Sequence, residues 1–198
     1  MTQRVVIASN NAGKIREFNR ILEPSGLDCI PQGAFNIPEV PEDGLSFVEN
    51  AIIKARHASR YADLPAIADD SGLEVEALNS APGIYSARFA GPHATDADNS
   101  QRLLKVLADT PDDARDARFI CVIVYMRHAK DPVPIICTGT WRGSILRSPR
   151  GSNGFGYDPV FKVAGTESSA AELSAEVKNT LSHRAKALSC LMEALSAV

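Results

Sequence analysis

At 198 residues, 44% of them hydrophobic, the chain is long enough to bury one substantial core, and it is read as a single domain over residues 1–198. A net charge of −3, from 21 basic and 24 acidic residues with no Lys or Arg block, argues against sequence-independent binding to long nucleic acid but leaves room for a local anion pocket. The N-terminal apolar run is too short for a signal segment and no run approaches membrane-spanning length; the four cysteines, Cys29, Cys121, Cys137 and Cys190, form neither Cys-x-x-Cys pairs nor zinc-type spacings. A cytoplasmic setting, with no membrane partner, is expected.

Residues 4–8 read as a short buried strand. Ser9, Asn10, Asn11, Ala12, Gly13 and Lys14 follow, and then Ile15, Phe18, Ile21 and Leu22 recur at helical spacing until Pro24. A strand, a small polar loop and a helix N-terminus present backbone N–H groups and a positive dipole end to one spot, which suits phosphate, and Lys14 adds a point charge. It is not a Walker A loop, because the first glycine is missing and Ile15 stands where Ser or Thr would reach Mg²⁺. An Asn-rich turn capping a helix is the equal alternative.

Residues 28–44, rich in Pro, Gly and acids, read as a loop with room for one strand. Ser46-Phe47-Val48-Glu49 has capping-box form and starts a helix to about Tyr61, with Glu49 as the cap partner and Lys54 and Arg56 as surface charges. The run ending Ala66-Ile67-Ala68-Asp69-Asp70-Ser71-Gly72 reads as a buried strand that stops at a site. Adjacent buried carboxylates repel each other and call for a compensating cation, for which a hard ion such as Mg²⁺ is suited; a solvated turn is the plainer alternative.

A turn is expected at Ala81-Pro82-Gly83 and a helix after Thr95, carrying Leu103, Leu104 and Leu107. Residues 119–126 are apolar and β-rich, so they read as a strand buried on both faces; residues 133–141 pair with it across a turn at Lys130-Asp131-Pro132. In Gly151-Ser152-Asn153-Gly154-Phe155-Gly156-Tyr157-Asp158, glycines alternate with flat rings and an acid closes the run, which suits a base-stacking pocket as well as an anchored surface loop. Near the C-terminus Ser182 caps a last helix, which places His183 and Arg184 in a first turn where positive charge opposes the macrodipole.

Taken together, six stretches resemble the inosine/xanthosine triphosphate pyrophosphatase family, and in the family's order. They are Ser9-Asn10-Asn11-Ala12-Gly13-Lys14, Phe47-Val48-Glu49-Asn50-Ala51 with Lys54-Ala55, Ala66 to Leu73, Ala81-Pro82-Gly83-Ile84-Tyr85-Ser86-Ala87-Arg88, Gly154-Phe155-Gly156-Tyr157-Asp158-Pro159, and Ser182-His183-Arg184. The resemblance implies a mixed α/β fold with an elongated central sheet flanked by helices and two lobes with a central cleft, as a homodimer. It implies that Ser9, Asn10, Asn11, Ala12, Gly13 and Lys14 hold a triphosphate, that Asp70 is the metal-linked proton acceptor and that Ser71 contacts substrate. Phe155, Gly156, Tyr157 and Asp158 would form the base loop, with Lys178, His183 and Arg184 completing base recognition. Glu42, in Pro41-Glu42-Asp43-Gly44, matches best as a second Mg²⁺ ligand, with Glu39, Glu49 and Asp69 also open. Two departures from the family pattern are Ser9-Asn10 for Thr-Gly and Pro41-Glu42-Asp43-Gly44 for Glu-Glu-Thr-Gly.

The implied reaction is Mg²⁺-dependent hydrolysis of non-standard purine nucleoside triphosphates such as dITP, ITP and XTP to the monophosphate and pyrophosphate. Two alternatives stand beside it: a metal-dependent pyrophosphohydrolase of another nucleotide, and a nucleotide-binding protein without turnover.

Overall fold

The computed structural model describes residues 3–22 and 26–196; Pro24, expected to stop the first helix, lies outside them. The chain forms β1 (Gln3–Ile7), α1 (Ala12–Leu22), β2 (Leu27–Pro31), α2 (Phe47–Ala62), β3 (Ala66–Val75) and α3 (Asp96–Val106). Then come β4 (Asp116–Met126), β5 (Ile135–Ile145), β6 (Phe161–Val163), α4 (Ala175–Leu181) and α5 (His183–Ser196). The strands make a six-stranded sheet in the order β2-β1-β3-β4-β5-β6. It is mixed: β1 runs parallel to β2 and β3, and β5 runs antiparallel to β6. The parallel pairs follow from the helical crossovers α1 and α2, since parallel neighbours need a long connection.

The chain divides into two compact units. The first comprises residues 1–70, 121–139 and 184–198. Its core joins Val5 and Ile7 of β1, Phe18 and Leu22 of α1, Ile67 of β3, Cys121 and Ile123 of β4, and Leu188 and Leu191 of α5. Side chains of this size contribute about 1.5–3 kcal/mol each when fully buried. α2 begins as the sequence predicts: the Ser46 hydroxyl accepts from Glu49 N, while Glu49 Oε2 accepts from Leu45 N and Ser46 Oγ. The turn between β4 and β5 is closed by Asp131, whose carboxylate accepts from Arg127 N at 3.0 Å, Arg127 Nε at 2.8 Å and Val133 N at 3.1 Å.

The second unit comprises residues 71–120 and 140–183. Leu73, Leu103, Leu107, Phe119, Trp141, Ile145, Tyr157, Val160 and Phe161 fill its core. Thr95 and Asp98 cap α3 reciprocally. Arg115 is buried and donates to the Leu107 carbonyl at the C-terminal end of α3, where a cation is favoured, and to the carbonyls of Ile145 and Leu146 at the end of β5.

Two local readings are corrected here. β3 does not stop at Asp69-Asp70 but continues to Val75, so both aspartates and Ser71 stand inside a strand. The seven-residue α4 was not anticipated; Ser174 caps it by accepting from Val177 N, but its polar sequence gives no apolar stripe to read.

Candidate active site

The first unit collects charge around β3. Successive strand residues face opposite sides of a sheet, so Asp69 and Asp70, 2% and 7% exposed, do not confront each other. Each has its own cations. Asp69 Oδ2 lies 3.0 Å from Lys14 Nζ on α1 and 3.3 Å from Arg184 on α5. Asp70 Oδ1 lies 2.9 Å from Lys54 Nζ on α2, and Asp70 Oδ2 accepts from the buried Asn50 amide at 3.3 Å. Asn50 Oδ1 in turn holds Gly44 N, tying the acidic loop to this face. Glu42 on that loop approaches the same Lys54 Nζ at 3.3 Å.

The two carboxyls titrate in opposite directions. Burial raises Asp70, and the nearby Glu42 charge adds to that rise despite the opposing pull of Lys54. Burial acts on Asp69 as well, but Lys14, Arg184 and Lys54 overcome it and hold that carboxyl far below the ordinary range. Lys54, which burial alone would lower, is raised by Asp70, Asp69 and Glu42. Lys54 is therefore no surface charge: its side chain is 13% exposed and bridges two carboxylates.

The loop before α1 caps the helix. Ser9 Oγ accepts from Asn11 N, and Asn11 Oδ1 accepts from Lys14 N, with Ala12, Gly13 and Lys14 forming the first turn. Asn10 and Asn11 are exposed, and Lys14 turns inward to Asp69. Among the other acids left open, Glu49 is spent on its cap and Glu39 is exposed.

In the second unit, Asp158 Oδ2 lies 2.6 Å from Lys178 Nζ and accepts from Phe155 N at 2.8 Å. Lys178 Nζ also stands 4.8 Å from the centre of the Phe155 ring, a cation–π distance. Gly154 has φ +80°, and a Cβ there would collide with the Asp158 carboxylate, so the loop needs glycine at this point. Gly156 N donates to Asp96. Tyr157 is core: it is 4% exposed, its hydroxyl donates to the Ser86 carbonyl, and burial raises its pKa. His183 is buried against Phe119, ring centres 4.8 Å apart and 12° from parallel. Ser71 is half-buried on β3. A cavity of about 520 Å³ beside the loop is walled by Phe155, Gly156, Leu104 and Pro149, within the usual size of small-molecule pockets.

Asp70 and Glu42 offer hard oxygen donors converging on one cationic position, which fits an ion such as Mg²⁺. Among the described residues no three His, Cys, Asp or Glu side chains form a ligand cluster, so water and phosphate would supply the other ligands. Sequence reasoning missed Lys54, Asn50 and Glu17 as parts of this cluster. The signal available for the first was the Lys54-Ala55 of the second motif.

Residues 5–194 match the Ham1 family. The chain is 56% identical over 193 residues to the dITP/XTP pyrophosphatase of Vibrio cholerae serotype O1, covering 98% of this chain and 96% of that protein. It is 53% identical, again over 193 residues, to the dITP/XTP pyrophosphatase of Escherichia coli K12, covering 98% of each. The structure of a HAM1 protein from Coxiella burnetii superposes with a TM-score of 0.93 at 49% identity, covering 99% of this chain and 100% of that one.

Proposed function

The chain belongs to the Ham1 family, and from that membership we propose that it hydrolyses non-standard purine nucleoside triphosphates (dITP, ITP, XTP) to the monophosphate and pyrophosphate. The observation that carries the reading to particular residues is the separation of the adjacent aspartates. Asp70 is turned toward Lys54 and Glu42 at the more open face, while Asp69 is bound between Lys14 and Arg184.

Each unit is assigned a part of the substrate on its own chemistry. The triphosphate goes to the Ser9–Lys14 loop, where a helix N-terminus and an ammonium match its charge. Asp70 and Glu42 would hold Mg²⁺. The ion supplies charge neutralisation and a more acidic water. Asp70 would orient an attacking water and take its proton for attack at the α-phosphorus, with Lys54 steadying its Oδ1 and Asn50 its Oδ2. Lys14 balances charge on the departing pyrophosphate.

The base goes to Phe155, Lys178 and His183. Hypoxanthine and xanthine carry an acceptor oxygen at C6, which suits the Lys178 ammonium; adenine places an amino group there, donor against donor. A site built on such a bond can reject the wrong base by about 10⁴-fold. Asp158 neutralises Lys178 and fixes its direction. A cytoplasmic homodimer completes the reading; among the described residues no helix is long and apolar enough to cross a membrane. Light scattering of the purified chain tests the dimer.

The deciding experiment is pyrophosphate release from dITP, XTP, dGTP, dATP and dUTP with and without Mg²⁺. Metal-dependent release from dITP and XTP, with little from dATP, is expected. Orthophosphate as product would move attack to the terminal phosphorus and overturn the mechanism. Turnover of dUTP alone would favour a pyrophosphohydrolase of another nucleotide, and silence throughout a binding protein.

A further inference from the structure

Two cations stand where helix dipoles disfavour them. Lys14 lies in the first turn of α1 and Arg184 in the first turn of α5. Both reach one carboxylate, Asp69, whose side chain is 1% exposed. Arg184 also pairs with Glu17 at 2.5 Å, three residues along α1 from Lys14 and so on the same helix face. The result is a ring of alternating charge, Lys14, Asp69, Arg184 and Glu17, closed through one turn of α1. All four belong to the first unit.

We propose that Asp69 is a positioning residue, holding Lys14 for the phosphates and Arg184 on α5, and is not a ligand of the catalytic metal. The proposal rests on the functional reading above, which assigns the triphosphate to the Lys14 loop. Two positive groups within 3.0 and 3.3 Å of Asp69 Oδ2 repel a third cation from it. Asp70 differs: its side chain is 10% exposed, and its neighbour across Lys54 is a second carboxylate, Glu42. The pleat of β3 thus gives one aspartate to the metal and its neighbour to the phosphate-binding lysine. The guanidinium of Arg184 is engaged with this ring, and base recognition falls to Lys178 and His183.

The test uses inorganic tripolyphosphate as the probe, titrated calorimetrically into the full chain in chelator, where no metal ligand can contribute. Asp69→Asn and Lys14→Gln are each expected to weaken binding about tenfold, the worth of a charge-assisted contact. The double variant should bind no worse than the weaker single, because both substitutions cut one link. Simple electrostatics predicts the reverse sign: deleting a negative charge near an anion site tightens binding. The Mg²⁺ concentration giving half-maximal dITP hydrolysis should stay unchanged in Asp69→Asn and rise in Glu42→Gln. Unchanged or tighter tripolyphosphate binding, additive losses, or a raised Mg²⁺ requirement in Asp69→Asn would overturn the proposal. If Asp69→Asn does not fold, Glu17→Gln probes the ring from its outer end; a weakening of about threefold, the low end for such a contact, supports it and none overturns it. A wild-type chain that binds tripolyphosphate without hydrolysing dITP sinks the functional reading alone. One that does not bind tripolyphosphate sinks the ring.

Discussion

The charged cluster of the first unit and the aromatic loop of the second solve opposite problems. Around β3, Lys14, Lys54, Arg184, Glu17, Glu42, Asp69 and Asp70 are arranged so that each carboxylate has a cation within about 3 Å. A polyanion with its ion needs strong local charge that is pre-arranged and not collapsed. In the second unit one ion pair, Asp158 with Lys178, sits among rings, and its charges cancel. A nucleobase is flat and uncharged, so a neutral pair that directs one donor discriminates better than net charge would. The difference is one of arrangement: three cations are shared among four carboxylates in one region, and a single pair stands beside one ring in the other.

The comparison can be broken at its charged side first. Asp70→Asn keeps the shape and one acceptor oxygen for Lys54, gives up the bond from the Asn50 amide and removes the proton acceptor; turnover of dITP should fall by about 10²–10⁴-fold while the chain still folds. A variant as fast as wild type would end the assignment of Asp70. On the other side, Lys178→Met leaves the buried Asp158 carboxylate without its cation, and stability should drop by about 3–5 kcal/mol. In the same variant the preference for dITP over dATP should collapse, whereas loss of stability with selectivity intact would make Lys178 structural only.

A smaller effect comes from a carboxylate outside both regions. The Arg127 guanidinium and the backbone N–H groups of Arg127 and Val133 hold Asp131 well below its ordinary 3.8. A depressed carboxyl stabilises the fold above its unfolded pKa, and the gain is lost as pH falls through the folded value. Asp131→Asn should therefore cost about 1.5–3 kcal/mol at neutral pH, and the gap to wild type should shrink in chemical denaturation series run below pH 3.8. A gap that does not vary with pH would assign the loss to shape.

What the sequence made legible was local. The capping box at Ser46 and Glu49, the helix after Thr95 and the buried C-terminal half of β4 follow from spacing within a few residues. Asp69-Asp70-Ser71-Gly72 misled because its composition is that of a turn. It lies inside a sheet strand between β1 and β4, and its charge partners are distant: Lys54 lies 16 residues before Asp70, and Arg184 lies 115 after Asp69. The same distance hid Lys54 itself, which looks like one more exposed lysine on an amphipathic helix until the carboxylates beneath it are placed. Tyr157 carried a different ambiguity. A ring between glycines suits a stacking platform, but its hydroxyl found the Ser86 carbonyl 71 residues away and drew it into the core.

The first unit's core also bears on biosynthesis. Val5, Ile7, Phe18 and Leu22 are covered by Leu188 and Leu191, and Glu17 meets Arg184 across 167 positions of chain. While α5 is still inside the ribosome, the N-terminal strand and helix lack the part of their cover that Ala187, Leu188 and Leu191 supply. The first unit's core can therefore be completed only once α5 has emerged, so loss of α5 would act on the residues translated first.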